Sequence, residues 1–511
     1  MSRRACGALR GGDSLAMSTI DVLVPAQAVY RIHLVIAERL REKGHDVALV
    51  GVDAPGVPGV LENILFLERR MLCIRSHKLM ERICDVQLHP ARSAAALRIN
   101  LSGNGEQFIS PVLTPKFAGC NSIAQAARLL MMGRLPDVDI VLDEGRSVAR
   151  AAPMVDSRLS VFRGINDVLA RVATLMVDTA HRYVSGERLG FVPAGAQAEP
   201  SPTSADIVGS YILSMMPRQA RGAFMRLGFH LHRWNVSYRF HKGRRVADTG
   251  LLAGEPWITL PDDGKRFYAD PFLFEWQGRY FIFVEDCPHG SDKAVLSVAE
   301  IFEDGTATVP RCVIDEPYHL SYPQVFAHDG EIWMLPESGS GNNLVLYRAE
   351  HFPDRWVRHS VLLPDCEIFD ATLLKHGGRL WLFASQRDGY GSASDTMAVF
   401  HSISLHGPWI PHVANPVRID RAAARPGGHF VQVGDRIVLP LQDGTHDYGG
   451  ALGLADLVEL DESKVRLTPP VPVLSSGKNP YPRVHTLNST AHLEAIDCIS
   501  PMMRNRLRRA G

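Results

Sequence analysis

The hydrophobic pattern of the first 190 residues predicts alternating strands and helices. A short, largely apolar run at 20–25 is typical of a buried strand, residues 30–43 carry apolar side chains at helical spacing up to Gly44, and 45–52 form a second strand pattern. This order predicts a βαβ unit with parallel strands and a right-handed crossover. Further strand patterns lie at 96–101 and 138–142. We therefore predict an α/β domain with a parallel sheet over residues 18–190.

The amino-acid composition and the hydrophobic pattern change between residues 191 and 232. Residues 191–205 are rich in Pro, Ala and Ser and carry one charged residue, which is typical of a linker. Residues 205–231 then have helical spacing, with an apolar stripe that we interpret as a packing face. The stripe consists of Ile207, Tyr211, Ile212, Met215 and Met216. A linker and a helix over 191–232 are thus predicted to separate two domains.

A repeat fills the second half of the chain. The clear copies have a polar signature residue, a strand, a tight Gly-containing turn, an alternating aromatic strand and a polar end. They lie at 269–286, 321–338 and 369–386, and two weaker copies lie at 426–443 and 484–497. Equivalent positions 270, 322 and 370 are 52 and 48 residues apart, and a period near ~50 built of hairpins is typical of propeller blades. We predict an all-β, five-bladed β-propeller over 233–500, whose fifth blade is closed by strands at 234–240 or 257–260.

The repeat also predicts a polar pocket. The innermost strands of a propeller start at one mouth of its channel, so the signature residues should converge there; they are Asp270, Tyr322, Asp370, Arg425 and His485. The ends of the second strands should add Glu285, Asp286, Glu337, Gln442 and Asp443. Such a pocket suits sugar recognition, and paired carboxylates suit acid–base chemistry at a glycosidic bond. The alternative is a scaffold role, since Asp at the start of a strand often only accepts backbone N–H bonds.

Composition and charge narrow the classes of function. The chain has 55 Lys+Arg and 55 Asp+Glu, so it has no overall field to hold a polyanion, and nucleic acid is not expected as a partner. No apolar stretch approaches the roughly 20 residues of a transmembrane segment. The eight cysteines contain no C-x-x-C pair, which argues against a disulfide framework and a structural zinc site and favours reduced thiols in a cytoplasmic protein. Residues 1–16 lack the apolar part of a signal peptide, and we expect the chain to start at Met1 or Met17.

Several motifs of the second half carry a resemblance to a known family. The runs 268–286, 320–323, 369–372, 424–427 and 484–487 are similar, in this order, to the five-bladed propeller at the N-terminus of plant glucosamine inositolphosphorylceramide transferases. Bacterial homologues of that propeller are often joined to a formyltransferase-like domain. More remotely, Ala269-Asp-Pro271 and Phe369-Asp-Ala371 are similar to the carboxylate signatures of furanosidase-type five-bladed glycoside hydrolases, such as arabinanases, invertases and levansucrases.

The remote resemblance implies roles for three carboxylates. It makes Asp270 the base or nucleophile and Asp370 the group that holds the substrate and tunes the acid. No Glu motif occurs in the later blades, so we take Glu337 of the second copy as the acid. The other polar residues of the pocket would bind substrate. No cofactor and no metal ligand set are predicted, although a divalent cation bridging Asp270 and Asp370 is compatible with two carboxylates.

The first domain resembles, weakly, the formyltransferase fold that acts on amino sugars and on methionyl-tRNA. That family needs an Asn, a His and an Asp around the formyl group. Here Asn100 is followed by Ser102 at the place of the His, no His occurs from 97 to 150, and Asp143 is the candidate acid. The resemblance therefore predicts a formyltransferase-like domain that is inactive.

These observations leave three functions open. The main hypothesis is a carbohydrate-active protein that binds or processes a glycan or an activated sugar, such as a nucleotide-sugar, in the propeller channel. It would act in surface-polysaccharide or glycolipid synthesis, by glycosyl transfer or hydrolysis. The second is a non-catalytic glycan-recognition module, and the third is a sugar N-formyltransferase in the first domain. The sequence specifies neither the sugar nor the oligomeric state.

Overall fold

The structure is a computed structural model that describes residues 17–54, 56–74, 79–103, 111–143, 145–193, 200–475 and 483–503. The described chain forms two compact units. One holds the chain up to Phe224 together with Tyr390–Ser392, and the other holds Met225–Gly389 and the chain from Ala393 onward. Within these ranges, no helix combines the length and the apolar character needed to cross a membrane. The seven cysteines of the described ranges form no disulfide with one another.

The first unit is a sheet with helices packed against it. Its elements are β1 (Thr19–Pro25), α1 (Arg31–Glu42), β2 (Asp46–Val52), α2 (Gly59–Met71), β3 (Leu97–Asn100), β4 (Val112–Phe117), α3 (Ile123–Met131), β5 (Val138–Leu142), β6 (Arg146–Ala151) and α4 (Val161–Val184). The strands are ordered β2-β1-β3-β4-β5-β6. Strands β1 to β4 pair in parallel, whereas β5 is antiparallel to both of its neighbours. The predicted α/β domain is confirmed, with a sheet that is parallel only from β1 to β4.

Local sequence explains both parts of this sheet. Strand β3 is buried at every position and β1 at all but its first, which is why they appear as apolar runs rather than alternating patterns. Helix α1 ends where Gly44 supplies a φ of 90°. Strands β5 and β6 are joined by a tight turn, with Asp143 at φ 51°, and two strands joined in this way must pair antiparallel.

The helix predicted over 205–231 is shorter and interrupted. It consists of α5 (Ser204–Ser210), a π-helical turn (Tyr211–Met215) and α6 (Met216–Gly228). Ile207 and Met215 are buried as predicted, but Ile212 and Met216 are exposed, so the predicted packing face is only partly right. The wider π turn is the physical reason, because it shifts the positions that follow it around the helix axis. Residues 194–199 of the predicted linker lie outside the described residues.

The second unit is a propeller of five sheets. Its first elements are β7 (Phe229–Phe240), α7 (Val246–Thr249) and β8 (Ile258–Thr259). Blade 1 contains β9 (Arg266–Trp276), β10 (Arg279–Pro288), β11 (Val295–Ile301) and β12 (Arg311–Ile314). Blade 2 contains β13 (Ser321–His328), β14 (Glu331–Glu337), the 3₁₀ turn Gly339–Gly341, β15 (Asn343–His351) and β16 (Arg355–Pro364).

Two further blades and the closing strands complete the ring. Blade 3 contains β17 (Glu367–His376), β18 (Arg379–Arg387), β19 (Thr396–Ser402), β20 (Ile410–Pro411) and β21 (Arg418–Ile419). Blade 4 contains β22 (Arg425–Pro426), β23 (Val431–Val433), β24 (Arg436–Asp443), β25 (Ala451–Leu460), β26 (Val465–Leu467) and β27 (Val471–Pro472). Blade 5 joins β28 (Val484–Ser489) and β29 (Leu493–Met503) to β7 and β8. The predicted five-bladed propeller is confirmed, and both candidate closing segments are used.

The propeller core lies between the blades. Five apolar clusters are each shared by two neighbouring blades, so that every sheet packs on both faces. Trp333 and Trp381 occupy the same position in blades 2 and 3, and each indole N–H donates to the carbonyl of the residue five positions earlier, at 3.2 and 3.1 Å. The repeated aromatic residues therefore build the packing that holds the innermost strands around the axis.

Candidate functional site

Three innermost strands leave the regular strand conformation at the same place. Asp270, Tyr322 and Asp370 have φ values of 47°, 49° and 49°, and the pairing register shifts beside each of them. A left-handed backbone is unfavourable for such side chains, costs about 1–3 kcal/mol and persists only where surrounding contacts hold it. The signature residues of three blades are thus turned out of the strand ladder.

The backbone N–H groups of these three residues donate hydrogen bonds to carboxylates of the preceding blades. Asp270 N donates to Asp497 Oδ2 at 2.9 Å, and Tyr322 N donates to Asp270 Oδ2 at 3.2 Å. Asp370 N donates to Glu337 Oε2 at 3.3 Å. The carboxylates therefore link blade 5 to blade 1, blade 1 to blade 2 and blade 2 to blade 3, which is the scaffold role considered from the sequence.

Arg425 of blade 4 joins two of these carboxylates. Its Nε donates to Asp370 Oδ2 at 2.5 Å, and its Nη2 donates to Asp370 Oδ1 and to Glu337 Oε2, both at 3.2 Å. Gln442 Nε2 also donates to Asp370 Oδ2, at 2.5 Å. Burial raises the pKa of Asp370, but the positive charge of Arg425 outweighs burial and holds that pKa below its usual value. Asp370 is therefore an ionised, fully buried carboxylate with both oxygens occupied.

Tyr322 connects blades at the centre of the propeller by hydrogen bonds. Its side chain is fully buried, and its hydroxyl accepts from Gly428 N at 2.7 Å and bonds to the Thr372 hydroxyl at 2.8 Å. The Tyr322 hydroxyl is thus satisfied by blades 3 and 4. The structure places this residue among the signature residues, as predicted, but in a position that connects blades.

His485 lies between two carboxylates of the cluster. Its Nδ1 is 3.3 Å from Asp270 Oδ1 and 3.2 Å from Asp497 Oδ2. Asp497 Oδ1 accepts from the N–H and the hydroxyl of Thr486 at 2.7 and 2.9 Å, which fixes its position. Burial lowers the pKa of His485, but Tyr448 and the two carboxylates outweigh burial and raise it well above its usual value. Asp270 Oδ1 and His485 Nε2 are buried without a hydrogen-bond partner, so the cluster offers two polar atoms to a ligand.

Two glutamates at the ends of second strands complete the cluster. Glu285 and Glu337 are 9% and 7% exposed. Burial raises the pKa of both well above the usual value, and the negative charge of Asp270 beside Glu285 and of Asp370 beside Glu337 raises it further. Burial thus favours the protonated form of both glutamates, and Glu337 lies beside the ionised Asp370. Carboxyl groups whose pKa values are driven apart in this way are the arrangement that acid–base chemistry uses.

Glu285→Gln is expected to stabilise the propeller increasingly as the pH rises. Because folding raises the pKa of Glu285, the folded state holds a proton that the unfolded chain has lost. The free energy of unfolding of wild type therefore falls by up to about 1.4 kcal/mol per pH unit, from about pH 4.5 up to the folded pKa. Gln needs no proton, so the variant escapes this cost. Melting temperatures at pH 5 and pH 8 should show a gain for the variant that is larger at pH 8.

The exposed Glu331 provides the control for this titration. Glu331→Gln changes the same chemical group on the neighbouring blade, where the side chain is 46% exposed. It should melt within experimental error of wild type at both pH values. An equal gain at pH 5 and pH 8 for Glu285→Gln would contradict a buried, protonated glutamate.

Two predicted residues are turned away from the cluster. Asp286 follows Glu285 on β10, and its Oδ2 accepts from the Ser297 hydroxyl at 2.8 Å. Asp443 follows Gln442 on β24, and its Oδ1 accepts an N–H of its own turn at 2.8 Å. Successive side chains of a strand point to opposite faces, so one member of each adjacent pair must face away. The structure does not bring Asp286 and Asp443 to the other candidates.

Sequence reasoning missed three residues of the cluster. Asp497 ends the fifth copy of the repeat, where the first and fourth copies also end on Asp, and this position was the available signal. The rings of Trp234 and Tyr448 lie 4.4 and 5.2 Å from the ring of His485. They come from the closing strand β7 and from the loop before β25, and no repeat position marks them.

The cluster contains one group of side chains whose atoms could ligate a cation once His485 has lost its extra proton. The predicted bridge between Asp270 and Asp370 does not fit, because Arg425 and Gln442 occupy both oxygens of Asp370. Among the residues that the structure describes, ligand atoms of Asp270, His485 and Asp497 lie within 4.8 Å of one another. Two carboxylates and an imidazole are a donor set that divalent metals accept.

The formyltransferase candidates lie in the first unit, at strand ends. Asn100 Oδ1, at the end of β3, accepts from the N–H and the hydroxyl of Ser102 at 3.1 and 2.7 Å. Asp143 Oδ1 accepts from Val112 N at 3.0 Å and so ties β5 to β4. Both side chains fulfil local structural needs, and the formyltransferase-like assignment stays a prediction.

Several solved glycoside hydrolases align with part of this chain. Zg3597, a family 117 glycoside hydrolase from Zobellia galactanivorans, aligns with a TM-score of 0.35 and 10% identity over 52% of this chain and 90% of its own. The α-L-arabinanase of Cellvibrio cellulosa, complexed with arabinohexaose, aligns with a TM-score of 0.31 and 16% identity over 40% of this chain and 78% of its own.

Sequence comparison gives a more specific result for the propeller. Residues 259–480 match the family model described as "Glucosamine inositolphosphorylceramide transferase 1, N-terminal". The curated protein of that name from Oryza sativa subsp. japonica is 33% identical over 209 residues, and that from Arabidopsis thaliana is 31% identical over 206 residues. The matches cover 40% of this chain but only 28% and 27% of the two plant proteins. The resemblance of this propeller to the N-terminal region of glucosamine inositolphosphorylceramide transferases, predicted from the repeat motifs, is thereby confirmed.

Proposed function

We propose that the propeller binds the sugar part of a glycan or an activated sugar at its axial cluster. The observation that carries this proposal is a pair of buried atoms without a hydrogen bond, beside Glu285, Glu337 and Arg425. They are His485 Nε2 and Asp270 Oδ1, which lies 3.3 Å from His485 Nδ1. Sugar hydroxyls both donate and accept, and this group offers both acceptors and donors. The plant relatives, whose name describes transfer of a sugar-containing group, support a carbohydrate ligand.

Chemistry on a glycosidic bond is the second candidate function. It is favoured by the opposed pKa directions of Asp370 and Glu337; burial raises the pKa of Asp270 as well, but less than that of Glu337, and His485 opposes this rise. Asp370, with both oxygens occupied, would tune Glu337 rather than attack the sugar, while Asp270 keeps one oxygen without a hydrogen-bond partner. In such a mechanism Asp270 is the base or nucleophile and Glu337 the acid. A role in surface-polysaccharide or glycolipid synthesis and a cytoplasmic location are part of this proposal.

Asp270→Asn is expected to weaken binding of the recognised sugar by about tenfold or more, since a charged acceptor is worth about 1.5–3 kcal/mol. Asn keeps one carbonyl oxygen, which can still accept from Tyr322 N and preserve the tie between blades 1 and 2. Its NH₂ group then faces His485 Nδ1, so the melting temperature of the variant is measured beside its sugar binding. Native mass spectrometry of wild type and variant with a panel of oligosaccharides and nucleotide-sugars measures the change. Product analysis of the same mixtures tests for turnover.

Asp286→Asn is the matched control. It makes the same chemical change on blade 1, on the face where Asp286 meets Arg266 and Ser297, and it should leave sugar binding within about twofold of wild type. A product formed by wild type and lost in Asp270→Asn establishes a carbohydrate enzyme. Binding that depends on Asp270 without any product establishes a recognition module. Equal sugar binding by wild type and both variants would contradict the axial site.

A further inference from the structure

The helix before the propeller exposes an apolar face in the first unit. On one side it packs: Met215 is buried, Arg218 donates to the carbonyl oxygens of Leu130 and Arg158 at 3.2 and 3.1 Å, and a Cβ added at Gly222 would lie 2.5 Å from Leu159 Cδ1. The other side carries exposed large apolar side chains at helical spacing. They are Ile212, Leu213, Met216 and Phe224.

Helix α2 adds a second set of exposed apolar side chains beside the first. Glu68 of α2 accepts from Gln219 Nε2 at 3.1 Å and from the Tyr211 hydroxyl at 3.5 Å, so the two helices lie side by side. Leu67 and Met71 lie on one flank of Glu68 around the α2 axis and are exposed. Together with Ile212, Leu213, Met216 and Phe224 they form what we call the linker-helix face.

The charge around this face is positive. From Ile207 to Gly228 the helix contains three arginines, of which Arg218 belongs to the packed side and Arg221 and Arg226 are exposed. The acidic residues of the two helices are engaged in hydrogen bonds; they are Asp206, Glu62 and Glu68. Arg221 on α6 and Arg70 on α2 are exposed next to the apolar side chains. The whole chain is neutral, with 55 basic and 55 acidic residues, so this local excess of arginine is a property of the face. Contiguous exposed apolar side chains are uncommon on monomeric proteins and mark a surface that binds another protein or a membrane.

We propose that the linker-helix face binds to the surface of an anionic phospholipid membrane. A helix with one packed side and one apolar side flanked by arginines lies in the plane of the interface, with its apolar side chains among the acyl chains and its guanidinium groups at the phosphates. The positive charge favours lipid headgroups over a second copy of this face, because two copies would bring their arginines together. This inference does not depend on the proposed sugar site.

Co-sedimentation of the full chain with vesicles tests this proposal. Wild type should bind vesicles that contain phosphatidylglycerol, bind phosphatidylcholine vesicles much less, and lose binding as salt is added. Leu213→Glu combined with Phe224→Glu should lower the partition coefficient by about tenfold or more. Both side chains are more than 70% exposed, so the variant should keep the wild-type melting temperature.

Ile403→Glu is the matched control, since Ile403 is 78% exposed on the propeller and Leu213 is 80% exposed. It should bind vesicles like wild type. Arg70→Glu combined with Arg221→Glu should abolish the preference for phosphatidylglycerol. Failure of wild type to bind anionic vesicles, or equal losses for the Leu213/Phe224 and Ile403 variants, would overturn the proposal. Light scattering that shows dimers disrupted by Leu213→Glu, without vesicle binding, would assign the face to a second copy instead.

Discussion

Arg425→Met is expected to lower the free energy of unfolding of the propeller by about 3–5 kcal/mol, because removing one partner leaves the other charge buried and alone. Arg425 is the positive partner of Asp370, which is fully buried. In the variant, Asp370 would have to take up a proton or remain ionised without a counter-charge. In the variant, burial is no longer opposed by Arg425 and raises the pKa of Asp370, so the folded variant loses stability as the pH rises above the usual Asp pKa. The loss relative to wild type should therefore be larger at pH 7.5 than at pH 5.

Urea unfolding followed by tryptophan fluorescence measures this loss in the propeller alone, because all seven tryptophans lie between residues 234 and 409. The double variant Arg425→Met with Asp370→Asn is the decisive control. It removes both charges, and Glu337, whose pKa is raised by burial, can stay protonated. The double variant should recover much of the lost stability, as neutral replacements of buried pairs do. A single variant as stable as wild type would contradict the ion pair.

The architecture of the propeller was predictable because each blade repeats one local rule. A Gly-containing turn between an apolar strand and an aromatic strand defines a hairpin, and five such hairpins at a period near ~50 leave few alternatives to a ring. The closing blade was predictable for the same reason, since one hairpin at 484–497 needs two more strands and 234–240 and 257–260 were available. The first sheet was harder, because periodicity identifies strands without giving their direction, and β5 and β6 run antiparallel.

The candidate site was predictable where it follows the repeat. Asp270, Asp370, Arg425 and His485 converge because equivalent positions of a ring must meet at its axis. The sequence could not show that Asp370 has both oxygens occupied, because its partners Arg425 and Gln442 come from blade 4. Nor could it separate Glu285 from Asp286, since the choice of face depends on the register shift between Phe283 and Glu285.

Tertiary placement also changed the interpretation of the helix before the propeller. Its apolar stripe predicted packing, and Ile207 and Met215 do pack. The π turn then directs Ile212 and Met216 outward. A wide turn of this kind has no reliable sequence signal, because it is stabilised by tertiary contacts such as those of Tyr211 and Gln219 with Glu68.

Glu494→Gln is expected to cost the propeller about 3–5 kcal/mol, the range for breaking a buried ion pair. Glu494 of β29 and Arg239 of β7 are 0% and 2% exposed and join the C-terminal hairpin to the N-terminal closing strand. Glu494 Oε2 accepts from Arg239 Nε and Nη2 at 3.1 and 2.9 Å, and Oε1 accepts from Val246 N at 2.6 Å. Gln has one acceptor oxygen, so its NH₂ group must face either the guanidinium or Val246 N–H, donor against donor.

Glu300→Gln is the control for Glu494→Gln, because it removes a carboxylate from an ion pair that does not close the ring. Glu300 accepts from Arg279 Nε and Nη2 at 2.7 and 2.6 Å, a similar two-point geometry, but Arg279 is 55% exposed. An exposed pair of this kind contributes about 0–1 kcal/mol. The same tryptophan-detected unfolding should therefore show a large shift for Glu494→Gln and almost none for Glu300→Gln. Equal shifts would mean that burial of the Arg239–Glu494 ion pair adds nothing to the stability of the propeller. The two ends of the propeller would then be held together by packing between the blades.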